Sequence, residues 1–465
     1  MALLGPFHRC STTMEHVRGA TRRVAQRREE GRFAMSLKKT MAASAAGLAC
    51  VMALTACAGD ADNPGGDDGQ VQMTFWHNAT TGPGAAFWDE TVDAFMDEYP
   101  DVTINIQAVQ NEELDGKLQT ALNSGDAPDI FMQRGGGKMA AMVRANQLLD
   151  ISDLITDETR GLIPEGSFSA NQIEGSTYAM PVAVLPGGIW YSQDLFDEAG
   201  ITEVPTTIDE LDAAVAALKD AGIQPIALGA KDAWPAAHWY YFFALRACSP
   251  DTLEEAASSM EFEHPCWVEA AENLQAFAET EPFNTGFLTT AAQQGAGSSA
   301  GLLANHQAAM ELMGAWNPGV IASLTPDEEP LPDLDWFAFP EVPGGEGVPG
   351  AILGGVDGYS CWANAPEQAC ADFLNFIART DIQEGYYRAF NAPTVNTESQ
   401  AVIEEPYLQS VLEAYNAAPY VSQWLDTIYG QNVGNALNIS IVDLLAEQRD
   451  AAGVVDAVNE AAARS

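Results

Sequence analysis

Val71–Met132 reads VQMTFWHNATTGPGAAFWDETVDAFMDEYPDVTINIQAVQNEELDGKLQTALNSGDAPDIFM, and its alternating periodicities decide the fold. Val71–Trp76 alternates as a strand does, and Ala85–Tyr99 then carries Phe87, Val92, Phe95 and Met96 at helical spacing. Pro100 ends that helix, and Val102–Val109 reads as a second strand. Glu112–Ser124 sets Leu114, Leu118 and Leu122 on one helical face before Gly125 stops it, and Asp129–Met132 is a short buried strand. Strands alternating with helical crossovers predict a parallel sheet packed by helices.

The α/β alternation continues downstream. Tyr178–Val184 and Gly188–Tyr191 read as strands, Asp194–Ala199 and Ile208–Ala221 as helices, and Pro225–Leu228 as another strand. Gly295–Gly301 is a Gly/Ser-rich loop and Pro340–Pro349 a Pro/Gly-rich crossing segment. The C-terminal third is mostly helical, and the sequence has no internal repeat.

Upstream of Val71 the chain reads as a processing signal. Lys38 and Lys39 precede the apolar run Met41–Leu54, which leads into Leu54-Thr55-Ala56-Cys57. The run is shorter than the roughly 20 residues that a spanning helix needs. Leu-Thr-Ala-Cys resembles the bacterial lipobox, whose cysteine is diacylated and becomes the mature N-terminus. The expectation is therefore upstream sequence ahead of the true start over 1–34, a lipoprotein signal peptide over 35–56 with Met35 as the start, and a disordered tether over 57–70. Two acyl chains on Cys57 hold a protein stably at a membrane surface.

The 465-residue chain carries a formal charge of −44. Nine of its 21 Lys/Arg but only three of its 65 acids precede Cys57, so the remainder is more acidic still. Such a surface repels phosphate backbones and argues against a nucleic-acid partner. Beyond Cys57 remain Cys248, Cys266, Cys361 and Cys370. In an exported chain an even number favours disulfides, and of three connectivities the local pairing is expected. Zinc is the rival reading, but there is no CxxC and only His264 lies near Cys266.

Six segments in order carry a wider resemblance: FWHNAT (Phe75–Thr80), SGDAPDIFMQ (Ser124–Gln133), YAMPVAVLPGGIWYSQDLFDEAGI (Tyr178–Ile201), VPTTIDEL (Val204–Leu211), MELMGAWNPGVI (Met310–Ile321) and GGVDGYSCWANA (Gly354–Ala365). Together they resemble the extracellular solute-binding family 1, the maltose-binding-protein type, over residues 71–465. The paired cysteines and the aromatic content are most similar to actinobacterial sugar receptors of ABC importers, including those for oligosaccharides such as xylobiose. The resemblance implies a type II, periplasmic-binding-protein-like α/β fold. In it two lobes, each a sheet flanked by helices, are joined by crossing segments and close like a clamshell. The crossings are expected near Met180–Val182, Trp336–Pro340 and Ala392, giving lobe one as 71–181 plus 341–391 and lobe two as 182–340 plus 392–465. A monomer is implied, docking when closed on membrane permease subunits and needing no cofactor or metal.

A sugar ring presents C–H faces that want flat aromatic surface and hydroxyl edges that want hydrogen-bond partners. All ten Trp lie after position 70. Trp316, in the turn-rich GAWNPG, is the leading candidate, followed by Trp76 after the first strand, Trp190 after the first crossing, and Trp424. Trp234 and Trp239 bracket Pro235 and His238, while Trp88, Trp267 and Trp336 read as structural. The polar candidates are Asn78, Gln133, Arg134 and Asp357, the last flanked by glycines that let a ligand approach, or else capping a turn. His77 reads as a satisfied core histidine.

Enzymatic motifs fail on context. Gly297-Ser298-Ser299-Ala300-Gly301 matches a nucleophile elbow but follows no buried strand, and reads as a flexible loop. Gly135-Gly136-Gly137-Lys138 hints at a phosphate loop, but Met139 stands where Ser/Thr is needed. Asp60–Val71 fails as a calcium loop because Pro64 and Val71 occupy ligand positions. A glycosidase is the serious enzyme alternative, and paired carboxylates decide nothing in so acidic a chain. A lipid-anchored adhesion or scaffold protein is the third class.

Overall fold

A computed structural model describes residues 70–464. The expected signal peptide and Cys57, with all of the tether but Gln70, lie outside the described residues. The opening segment folds as β1 (Val71–His77), a helix over Gly82–Glu98, β2 (Val102–Ala108), a helix over Asn111–Ser124 and β3 (Ile130–Gln133). β1 pairs parallel with β2 along its whole length and with β3 at Phe75 and Trp76. Leu114, Leu118 and Leu122 are buried, and Gly125 ends their helix in the left-handed conformation at φ 81°.

A two-stranded ribbon, β4 (Gln172–Ile173) with β5 (Ser176–Thr177), precedes β6 (Met180–Ser192), all thirteen residues of which are buried. The two strands expected over this stretch are one. Gly187 and Gly188 look like breakers but serve packing: a side chain would sit 2.5 Å from the Trp424 ring at Gly187 and 2.3 Å from the Trp336 ring at Gly188. Further along come β7 (Gln224–Ala227), β8 (Ala308–Gly314), β9 (Leu334–Phe337), β10 (Ile352–Cys361) and β11 (Val421–Ser422).

One sheet runs in the order β2-β1-β3-β10-β6-β8-β7, with β9 joined to β6 and β11 to β10. Its middle strands belong to both lobes. β10 pairs with β3 through Gly358–Cys361 and with β6 from Met180 to Pro186, and the second half of β6 pairs with β8 and β9. The register of β6 and β10 shifts between Asp357 and Gly358. A third segment lies alongside, where Val184 N–H donates to Pro393 O at 3.0 Å and Val395 N–H to Val182 O at 3.0 Å.

Downstream of the crossing expected at Trp336–Pro340, β10 also runs between β3 and β6. The buried Arg246 donates to the carbonyls of Phe339 (2.7 Å), Pro340 (3.2 Å) and Ala351 (2.8 Å), fastening the Pro/Gly-rich segment to the helix Trp234–Ala247. Phe339, Ala351 and Leu353 accordingly pack in the core built on that helix, so residues 341–353 side with the second lobe. A separate core gathers Phe75, Trp88, Phe95, Ile130, Met180 and Phe373 in the first lobe. Disulfides join Cys248 to Cys266 and Cys361 to Cys370, the local pairing. Ser298, the serine of the elbow-like motif, is a helix cap whose Oγ accepts from Gly301 N–H at 3.1 Å.

Candidate ligand-binding site

Parallel strands open their clefts at carboxyl ends, and here the chain after β1 and β3 supplies one polar wall. Asn78 Nδ2 donates to Asn111 Oδ1 (3.2 Å), which also accepts from Arg134 Nη2 (2.7 Å). Arg134 Nη1 and Lys138 Nζ grip the two oxygens of Asp115 at 2.8 and 2.9 Å. Lys138 also lies 3.9 Å from Asp426 of the second lobe. Burial pushes the Asp115 carboxyl upward, but the charges of Arg134 and Lys138 more than reverse this and hold it at about 2. Burial likewise opposes the charge of Arg134, which Asp115, Asp357 and Asp426 together restore, so its pKa lies above the ordinary value.

Asp357 stands on β10 between the lobes, and its carboxylate takes no hydrogen bond or ion pair among the described residues. Burial lifts its pKa to about 6 against the pull of Arg134 and Lys138. A half-buried carboxylate in this condition is an acceptor awaiting donors. Gly355, two residues earlier, lets Trp424 lie close: the place a side chain there would fill is 3.2 Å from Trp424 Cδ1 and 4.0 Å from Asp357 Oδ1.

Nearby lies an aromatic cluster in which Trp424, 8% exposed, packs in the second-lobe core while Trp316 and Trp234 are half-buried. His238 stacks on Trp424 at 4.0 Å, Trp424 meets Trp316 at 5.7 Å, and Trp316 meets Trp234 at 6.2 Å. Trp234 closes the group against His238 at 5.0 Å. Gly314 makes room for the Trp316 ring, whose Cζ3 comes within 1.9 Å of where a Cβ would stand. Burial holds His238 at about 3, so its ring is neutral. Behind Trp316, Asn317 Nδ2 donates to Oε2 of the buried Glu311 at 2.8 Å, and burial pushes Glu311 up to about 7.

The structure thus brings Trp316, Trp424 and Asp357 together and ties Asn78 to them through Asn111 and Arg134. It does not gather the remaining candidates. Trp190 is fully buried, its indole N–H donating to Met313 O at 3.2 Å, so it offers no surface to a ligand. Gln133 is 4% exposed, and its Oε1 accepts from the backbone N–H of Arg134 (3.0 Å) and Gly135 (3.3 Å), which fixes the turn after β3. Trp76 packs half-buried with Leu118, Leu122, Phe131 and Met139. On the opposite face of β1, His77 lies 1% exposed beside Phe75 and Trp88 and is held at about 4 by burial. Asp115, Lys138 and Asp426 were missed by sequence reading, and only the charge at the end of the Gly135–Gly137 run pointed to any of them.

That glycine run seats the lobes against each other. A side chain at Gly136 would meet Thr427 O at 2.8 Å and one at Gly137 would meet Ile428 O at 2.2 Å. Thr427 and Ile428 belong to the short helix Leu425–Ile428, which packs through Leu425 in the second-lobe core.

A putative binding protein of Brucella abortus is 29% identical over 226 residues, 48% of this chain and 52% of the relative. The diacetylchitobiose binding protein DasA of Streptomyces coelicolor is 27% identical over 211 residues, 43% of this chain and 47% of the relative. The chain thus spans about half the length of these curated relatives. A solved chitin oligosaccharide binding protein superposes with a TM-score of 0.76 at 22% identity, covering 85% of this chain and 98% of the other, which establishes a shared periplasmic-binding-protein fold. The model of the bacterial extracellular solute-binding proteins matches residues 78–384. With a periplasmic-binding-protein fold and a family match over well more than half its length, the chain belongs to the bacterial extracellular solute-binding proteins, a family of solute binders rather than enzymes.

Proposed function

We propose that the chain is the substrate-binding component of an ABC importer and that it captures a di- or oligosaccharide by lobe closure. The observation that carries this reading is the juxtaposition of the indole wall of Trp424 and Trp316 with the unpartnered carboxylate of Asp357. Flat apolar rings beside a free acceptor fit a pyranose or furanose that turns its C–H face to the rings and two hydroxyls to the carboxylate. Arg134 and Asn78 supply donors on the facing wall. The names of the relatives support the same chemistry, since one binds diacetylchitobiose and a structural neighbour binds chitin oligosaccharides. The receptor is anchored through acylated Cys57 at the outer face of the cytoplasmic membrane, as in actinobacterial lipoproteins, and works as a monomer that hands its cargo to permease subunits.

A thermal-shift screen of the purified chain against sugars, polyols, amino acids and peptides tests it. A saccharide at about 100 times its Kd stabilises the fold by about 2.7 kcal/mol. A shift with one saccharide class, the sugar being recovered unchanged, supports the receptor reading. A shift with peptides or amino acids alone refutes the sugar assignment, and consumption of the sugar refutes the receptor.

A further inference from the structure

β2 and β7 are the outer edges of the sheet path, on either side of the strands the lobes share. In a flat sheet of seven strands such edges lie roughly 25–30 Å apart. Gln110 follows β2 directly. Gln294 belongs to the loop that rests on the segment after β7, where Ala292 N–H donates to Asp232 Oδ2 at 2.7 Å and Lys231 N–H to Thr290 O at 3.1 Å. These distant edges nevertheless meet. Gln294 Nε2 donates to Gln110 Oε1 at 2.9 Å and to Glu112 Oε2 at 3.3 Å. Gln110 is itself held in place, its Nε2 donating to Thr80 Oγ1 at 2.9 Å. The contact ties the β2 side of the sheet to its β7 side. Asn111 and its partner Arg134 lie on the first side, and Trp234 follows Asp232 on the other.

We propose that Gln294 is a clasp across the mouth that sets how long a ligand is retained and limits its size. Both residues are exposed, so the bond adds little to the fold; it forms only when the lobes approach, and so it favours the closed state. A saccharide short enough to lie behind the clasp is shut in by it. A longer chain that projects through the mouth parts Gln294 from Gln110 and forgoes the bond. The proposal rests on the sugar-receptor reading for the identity of the ligand, not for the clasp.

Stopped-flow dissociation on the full chain tests it, with xylobiose and diacetylchitobiose as short probes and stachyose as the long one. Gln294→Ala is expected to melt as wild type does while releasing whichever disaccharide binds roughly two- to tenfold faster. Any stachyose release should be unchanged. Gln110→Ala added to Gln294→Ala should bring little further loss, because Gln294→Ala already removes the bond to Gln110 along with that to Glu112. Equal disaccharide off-rates in wild type and Gln294→Ala, or strictly additive effects of the two substitutions, overturn the clasp. If wild type binds no saccharide, the sugar reading fails and the clasp is decided by small-angle scattering of the ligand-free chain. A larger radius of gyration for Gln294→Ala then upholds it, and an unchanged one refutes it.

Discussion

The imidazole of His238 lies nearly flat on the indole of Trp424, their centroids 4.0 Å apart and their planes 21° from parallel. Because burial keeps His238 at about 3, this stack is a neutral one at physiological pH. It fixes Trp424 from behind, so the ring is already placed before a ligand arrives.

Replacing Trp316 by Ala should weaken saccharide binding by about 1.5–3 kcal/mol, the usual worth of burying a large apolar side chain. That is roughly ten- to hundredfold in Kd by titration calorimetry. Trp190→Ala should instead cost the fold about 3–5 kcal/mol, as a cavity in the core does. An unchanged Kd for Trp316→Ala would remove that ring from the site.

Asp357 carries a pKa of about 6, raised by burial. A carboxyl raised on folding disfavours the folded state once ionised, and the cost accrues as pH climbs from its unfolded value, near 4, to about 6. Asp357→Asn should therefore raise Tm at pH 7–8 and leave it unchanged near pH 3. The same substitution should abolish the fall in saccharide affinity that wild type is expected to show below about pH 6. Loss of Tm at pH 7 would contradict the burial of an unpaired charge.

Glu311 should contribute a second pH dependence. Its pKa of about 7 means that stability declines as pH rises from about 4.5 to 7 and is level above. Gln at this position keeps an acceptor for Asn317 but cannot ionise. Thermal melts of Glu311→Gln across that range should be flatter than those of wild type.

Gly137 has no positive φ, so alanine is penalised there by close backbone, the Ile428 carbonyl oxygen at 2.2 Å and the Gly430 nitrogen at 3.0 Å. Gly137→Ala should hold the helices Gly136–Arg144 and Leu425–Ile428 apart and weaken saccharide binding. Wild-type affinity in that variant would mean that the seam between the lobes is free to shift.

The first lobe was legible because its signals are local: three leucines at helical spacing, a stopping glycine and a proline after the first helix. β6 was not, since Pro186, Gly187 and Gly188 imitate a turn until the rings that lie over them are known. Trp190 reads as a site candidate because it follows the first crossing, although β6 carries it into the core. Trp316 could be read from its turn-rich surroundings. Arg134 and Asp357 could be read singly as polar candidates, but not their grouping with Asp115, Lys138 and Asp426, which the fold alone brings together across more than half the chain.

The register shift at Asp357 falls in the β6–β10 ladder, which both lobes share. A residue on the axle of a rotating pair travels far less than residues on the rims. On the proposed closure, Asp357 would present nearly the same acceptor to a sugar whether the lobes are apart or together, while Gln294 and Gln110 would come within reach only at the end of the swing. Under the proposed function, encounter and retention are divided between two places on the molecule: the carboxylate would govern how readily cargo is first engaged, and the rims how late it departs.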